Sequence, residues 1–352
     1  MITGVAAQVT RLAMGTVMTH KAYGPYADEG LTAVCAEVER LEELLSRFLP
    51  GSDVSRINRS AGIQGESVSA DTVEVLSQAA EFSAKCEGCF AATIGPLVAL
   101  WYHGKEAATA PDEDSVRRVL SLVNDGDLLL NLRQRTAGLR KVGQSIDLGG
   151  IGKGFTGDRI LQVYREYGIA SAYSNLGGNV VTVGTKPDGS PWHIGIQHPR
   201  SEQDILGAVA VTGQTVVTSG DYQRYFTDHQ GKRHHHILDP RTGYPAESGL
   251  ISVSIVADNS MAADALSTAV FVAGMEKGLE FLEGFPGTEA ILVSDDLQVY
   301  ITPGLSDRFQ AAEGIPVTVL DLTASRCRNQ VSAFGNLVSN LSAAALSAVN
   351  SH

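Results

Sequence analysis

Ser145-Ile146-Asp147-Leu148-Gly149-Gly150-Ile151-Gly152-Lys153-Gly154 reads as a short strand, a glycine-rich turn and the opening of a helix that runs to about residue 167. The chain changes character around this stretch. Before it, apolar residues recur at helical spacing. Leu31, Val34, Cys35, Val38, Leu41, Leu45 and Phe48 follow Asp28, which is placed to cap them, and the pattern stops near Pro50-Gly51. A second helical pattern covers 70–85 and a third 115–123, with a short apolar segment at 97–101 between them. From Leu128 onward, strand patterns take over at 128–130, 145–147, 180–183, 192–196, 208–211, 216–218, 251–256 and 290–293, with a helix at 260–273. Lys186-Pro187-Asp188-Gly189 has the residues of a type I turn and predicts a hairpin between 180–183 and 192–196. Strands bunched together with helices between them point to an α+β fold, not a regular doubly wound one. After residue 310 the chain becomes rich in Ser, Ala and Asn, and 310–352 reads as a tail of unknown role.

The bulk numbers narrow the partners. The 352 residues carry 27 basic and 39 acidic side chains, a net charge of −12, which repels nucleic acid and anionic lipid. No apolar run approaches the roughly 20 residues of a membrane span. The opening residues, MITGVAAQVTRLAMG, lack the basic-then-apolar order of an export signal and any lipobox-like cysteine, so no membrane anchor is visible and the expected location is the cytoplasm. Of four cysteines, Cys86 and Cys89 form a lone CxxC without a second pair to complete a zinc site, and they read as packing residues.

Five stretches could carry chemistry. The glycine turn at 147–154 has the layout in which backbone N–H groups face an anion, and equally that of a plain tight turn. It is not a P-loop, because Gly154 stands where Ser or Thr must follow the lysine. Asn175-Leu176-Gly177-Gly178-Asn179 fits either close approach of a ligand or a bulge before a hairpin. Thr218-Ser219-Gly220-Asp221-Tyr222 offers donors to a phosphate, or an ordinary turn at a strand end. His234-His235-His236 cannot hold one ion together, because neighbouring side chains diverge on a strand. Asp264 and Thr268 sit one turn apart on one face of the 260–273 helix, where a carboxylate and a hydroxyl suit a hard cation such as Mg²⁺. Read as a surface-facing residue, Asp264 is expected to matter for turnover and little for stability.

Taken together, the motifs resemble the ApbE family of flavin transferases. The matching stretches are Met14-Gly15-Thr16, Ser52 to Asn58, Thr93 to Leu97 with Trp101, Asp147 to Gly154, Asn175 to Gly178, Thr218 to Tyr222, His236 to Gly243 and Asp264 to Thr268. They occur in the family's order and define a domain over 11–309. The resemblance implies an ApbE-like mixed sheet with helices, in a single large domain with two lobes. It implies a Mg²⁺-dependent FAD:protein FMN transferase that cleaves FAD, moves FMN to a Thr or Ser hydroxyl of an acceptor protein and releases AMP. The alternatives are an FAD pyrophosphatase that releases FMN and AMP, and an FAD-binding protein without catalysis. By the same resemblance Gly152 (through its carbonyl), Asp264 and Thr268 would hold the metal, and His236 would act as base with Asp264 in the catalytic set. Met14, Phe48, Ala91, Ala92, Thr93, Gly149, Lys153, Phe155, Ser219, Gly220, Asp221 and Ile237 would contact flavin or nucleotide. One departure stands out: the family usually has Asp where this chain has Ala91.

Overall fold

A nine-stranded sheet organises the computed structural model, which describes residues 6–321. In spatial order its strands are Ala6–Ala13, Thr16–Tyr23, Ser171–Leu176, Val180–Val183, Thr215–Gly220, Leu250–Ala257, Glu289–Ser294, Val299–Ile301 and Val317–Val319. Every neighbouring pair is antiparallel except the last, which is parallel. A side-chain period of two gives the sheet two buried faces. Val217, Ala290 and Leu292 point into a core shared with the helices, whereas Val216, Ile291 and Val293 point into a second core. That second core is covered by a three-stranded sheet of Phe309–Ala311, Ile205–Val211 and Trp192–Gln197. The α+β reading therefore holds.

On the helical face, Ala27–Leu45 packs Leu31, Val34 and Val38 with Ile160, Leu161 and Tyr164 of the helix Gly152–Glu166. The helix Ser260–Ala273 lies beside Gly152–Glu166 and is buried almost all round. Two glycines set that approach. A Cβ on Gly154 would come within 2.4 Å of the Ser260 carbonyl oxygen, and one on Gly157 within 2.5 Å of Ser260 Oγ. Asp158 then reaches across and accepts the N–H groups of Ser260 (2.7 Å) and Met261 (2.9 Å), two donors that a helix start leaves unpaired. Asn259 caps the same helix by accepting the N–H of Ala262.

The helices read at 70–85 and 260–273 are found with those bounds. The short apolar segment at 97–101 belongs to a longer helix, Gly95–Ala107. Four expectations need correction. The first helix starts at Ala27 with Asp28 inside its first turn and ends at Leu45, so Phe48 lies in the following loop. Residues 145–147 are extended but form no strand: the Asn58 side chain pairs with the N–H and C=O of Ile146, and Asp147 N–H donates to Ala92 O. The Lys186–Gly189 turn forms, yet it joins no hairpin, because Val180–Val183 pairs in the large sheet and Trp192–Gln197 in the small one. The real hairpin lies one step earlier. Gly177 and Gly178, with φ of 71° and 105°, make a two-residue turn between Ser171–Leu176 and Val180–Val183. Strands at Phe309–Ala311 and Val317–Val319 also carry the sheets past residue 310, and residues 322–352 of the expected tail lie outside the described residues.

Candidate functional site

The glycine turn is built by Asp147. Its Oδ1 accepts the Gly149 N–H at 2.7 Å and folds the chain so that the helix can begin at Gly152. Phe90 and Thr268 lie against Gly150, where a Cβ would stand 3.3 Å from Thr268 Oγ1. Two residues on, the Gly154 N–H donates to Asp264 Oδ2 at 2.8 Å. Lys153 Nζ stands 3.9 Å from Asp264 Oδ1. The turn thus lies against the 260–273 helix at both Asp264 and Thr268. Asp264 is only 3% exposed, which corrects the surface-facing reading: it is a buried carboxylate held between two helices.

Hydroxyls complete this side. Ser219 Oγ, from the strand Thr215–Gly220, lies 2.8 Å from Ser267 Oγ and 3.3 Å from Thr268 Oγ1. Thr156 Oγ1 donates to the Gly152 carbonyl at 2.9 Å and contacts Met14 Sδ at 3.6 Å. Met14 heads the turn between the first two strands at φ 49°, a left-handed conformation that a non-glycine residue adopts at a cost. Gly152 O, the Asp264 carboxylate and Thr268 Oγ1 are all oxygen donors with one full negative charge, a set that fits a hard divalent cation completed by water and phosphate. Among the described residues no three His, Cys, Asp or Glu side chains gather to hold a metal unaided.

His236 lies just past the strand Arg233–His235, where it feels the charge of the same Lys153 that stands near Asp264. Its ring is solvent-accessible, but the surrounding protein pushes its pKa down to about 4, with the Lys153 charge adding to the effect. The ring is therefore neutral at pH 7. Its Nδ1 lies 3.1 Å from the Arg224 carbonyl oxygen, which can only accept, so Nδ1 carries the proton and Nε2 keeps its lone pair. The two neighbouring histidines have other duties, as strand geometry requires. His234 Nε2 meets Asp228 Oδ2 at 2.9 Å beside Trp101 and Phe226, and His235 Nε2 donates to the Ala246 carbonyl.

The remaining candidates divide. Gly149 is exposed on the turn, and Ile237 is buried behind His236 with its carbonyl accepting the Ala246 N–H. Phe48 is 78% exposed, with the Arg47 guanidinium 4.8 Å from its ring centre. Ala91 and Ala92 are buried, and Thr93 is tied to Asp125, which takes the N–H groups of Ala92 and Thr93 and the Thr93 hydroxyl at 2.6–2.9 Å. Gly220 is buried in its strand, and Asp221 is held by a two-pronged Arg200 contact at 2.7 and 2.9 Å. Phe155 lies in the core under Arg159, turned away from any open surface. Asp125, Arg200 and Arg47 were not read from the sequence, because each is joined to its partner only by the fold. Cys86 and Cys89 are both fully buried, and burial pushes the Cys86 thiol up to about 12, which suits packing. Among the described residues no helix is long and apolar enough to cross a membrane.

A profile of the ApbE family matches residues 14–292. The FAD:protein FMN transferase of Klebsiella pneumoniae (strain 342) is 34% identical over 313 residues, 88% of this chain and 96% of that protein. The FAD:protein FMN transferase of Treponema pallidum (strain Nichols) is 33% identical over 320 residues, 86% of this chain and 88% of that one. The crystal structure of the ApbE protein from Thermotoga maritima matches with a TM-score of 0.80 at 29% identity, over 87% of this chain and 100% of that chain. The flavin transferase ApbE from Vibrio cholerae matches at 0.77 and 26%, over 87% and 99%. The chain belongs to the ApbE family.

Proposed function

We propose that this chain is a Mg²⁺-dependent FAD:protein FMN transferase that links FMN to a Thr or Ser hydroxyl of an acceptor protein. Its family and the names of its relatives support the transferase activity with FAD as donor. The observation that supports the residue assignment is Lys153, which stands 3.9 Å from the buried Asp264 beside a hydroxyl cluster and also acts on His236, whose Nδ1 faces the Arg224 carbonyl.

Gly152 O, Asp264 and Thr268 would hold Mg²⁺, which supplies charge neutralisation on the pyrophosphate. Lys153 binds phosphate oxygens, whereas the N–H groups of Gly149, Ile151, Gly152 and Gly154 already donate to acceptors within the protein. The dipole of the 152–166 helix favours the same charge. The acceptor hydroxyl approaches from the open side. His236 Nε2 takes its proton as the oxygen attacks the phosphorus of the FMN half. The bond to the AMP phosphate breaks, and AMP leaves with the electron pair. Met14 and Phe48 contact the flavin, with the Phe48 ring as a stacking platform that limits water.

The test is direct. The protein is incubated with FAD, Mg²⁺ and candidate acceptors, and tryptic peptides are searched for an FMN-sized mass gain on Thr or Ser. Adduct formation that EDTA abolishes is the expected result. Release of FMN and AMP without any adduct would instead make the chain a pyrophosphatase, and intact FAD after prolonged incubation would leave only binding.

A further inference from the structure

Phe48 is an anomaly for a folded chain: a large aromatic, 78% exposed, on a loop that is otherwise well tied. Its own N–H and that of Leu49 donate to Ser46 Oγ, and Arg59 donates to the Pro50 carbonyl. The loop is held from below, so the ring is presented and not frayed. One face of the ring is already occupied. The Arg47 guanidinium lies 4.8 Å from the ring centre, within the range of a cation–π contact. The same guanidinium turns its Nε to Asp147 Oδ2 at 3.2 Å, and both partners are largely withdrawn from water, at 19% and 15% exposed. The other oxygen of Asp147 holds the Gly149 N–H. One unbroken line of contacts therefore runs from ring to guanidinium to carboxylate to glycine turn.

We propose that Arg47 is the positioning residue of the flavin site, backing the Phe48 ring so that its free face receives the flavin and tying that ring through Asp147 to the turn that carries Gly149 and Gly152. This rests on the reading that Phe48 contacts flavin. Arg47 acts in two ways. Its planar group holds the ring flat, which a flexible ammonium does less well. Its ion pair fixes the Asp147 side chain, so the ring, the guanidinium and the turn held by the other Asp147 oxygen move as one unit. The consequence is a division of labour within one ligand: Arg47 governs the flavin half of FAD and leaves the adenosine half alone.

The experiment titrates FAD, FMN and AMP separately, with Mg²⁺ present, into the wild type, Arg47→Ala, Arg47→Lys, Phe48→Ala and the Arg47→Ala/Phe48→Ala double variant. Flavin fluorescence reports FAD and FMN, and calorimetry reports AMP. Arg47→Ala is expected to weaken FAD and FMN by about tenfold and to leave AMP within about twofold. Arg47→Lys, which keeps the ion pair and loses the flat stack, should fall between. The double variant should bind FAD no worse than Phe48→Ala, because the two residues act through one contact. Unchanged FAD binding in Arg47→Ala would overturn the proposal. So would equal weakening of AMP, full recovery by lysine, or additive losses in the double variant. The transfer assay is read separately. Loss of flavin binding in Arg47→Ala without any acceptor adduct in the wild type would uphold Arg47 and sink the transferase reading. Adduct formation with normal binding in Arg47→Ala would do the reverse.

Discussion

The surroundings of Asp264 and of His236 are built in opposite ways. The Asp264 side is interior architecture: a 3% exposed carboxylate between two long helices, with Asp158 pinning one helix start and two glycines fixing the contact. The His236 side is a three-residue strand, Arg233–His235, paired with Tyr225–Thr227 in a sheet of only two strands, and the His236 ring meets solvent. The difference matches the roles proposed for the two residues. Stabilising charge on a phosphoryl group requires donors and a cation that do not reorganise during reaction, which a packed helix pair provides. Taking a proton from another protein's hydroxyl requires an approach that a packed core forbids.

The largest expected effect is on the buried side. Asp264→Asn keeps the shape and an acceptor oxygen for the Gly154 N–H but removes the charge, and FMN transfer should fall by about 10³-fold with little change in melting temperature. Asp264→Ala should add a stability loss of about 1–3 kcal/mol, because it leaves that N–H buried and unpaired. Denaturant titration beside a transfer assay separates the two. If both variants kept full Mg²⁺-dependent activity, the cation would sit elsewhere.

On the open side, His236→Gln should cost about 10²-fold in kcat/KM and leave the denaturation midpoint unchanged. The pH profile sharpens the same point. The base works only when neutral, so activity is lost as pH falls through its pKa. With that pKa pushed down to about 4, the acid limb of kcat/KM lies near pH 4, well below the 6.5 of an ordinary histidine. An acid limb at 6–7 that disappears in His236→Gln would show a base with no such depression.

Gly157→Ala tests the helix contact and not the chemistry. The added carbon would stand 2.8 Å from Val181 Cγ1 and 2.5 Å from Ser260 Oγ, so the helices must part at about 1–3 kcal/mol. Denaturant titration should show that loss. A neutral result would mean the helix pair is softer than its geometry implies. Thr268→Ala should do least, about threefold to tenfold in turnover, since water can replace a neutral hydroxyl on a cation that readily keeps its waters.

The same contrast explains what could be read in advance. Ala70–Lys85 was legible from its helical period, and Ser260–Ala273 from its length and its run of helix-forming Ala, Met and Leu after Asn259, because their own residues decide them. The candidate residues were legible as types: Asp264 and Thr268 by spacing, the turn at 147–154 by its glycines. Partnership was not. The Lys186–Gly189 turn has the residues of a hairpin, but Val180–Val183 is claimed by Thr215–Gly220, a strand more than thirty residues on, and no local signal records that competition. Arg200 with Asp221, and Asp125 with Thr93, are likewise pairings that only the folded chain brings together. The Asp264 burial was missed for a related reason. A helix buried almost all round has no amphipathic stripe from which to tell its outward face.

Gly154 and Gly157 have one more consequence. Where helices meet through side chains, drift in side-chain size slowly changes their spacing. Here Gly154 meets the Ser260 carbonyl backbone to backbone, so no residue smaller than glycine exists to let the pair close there and no larger one fits at 154 without forcing it open. The separation between the Gly152 carbonyl and Asp264 is thereby insulated from mutational wear in the surrounding core. The short two-stranded ribbon of Tyr225–Thr227 and Arg233–His235, with Tyr225 half exposed, is under no comparable packing limit, whereas the helix seam tolerates almost no change.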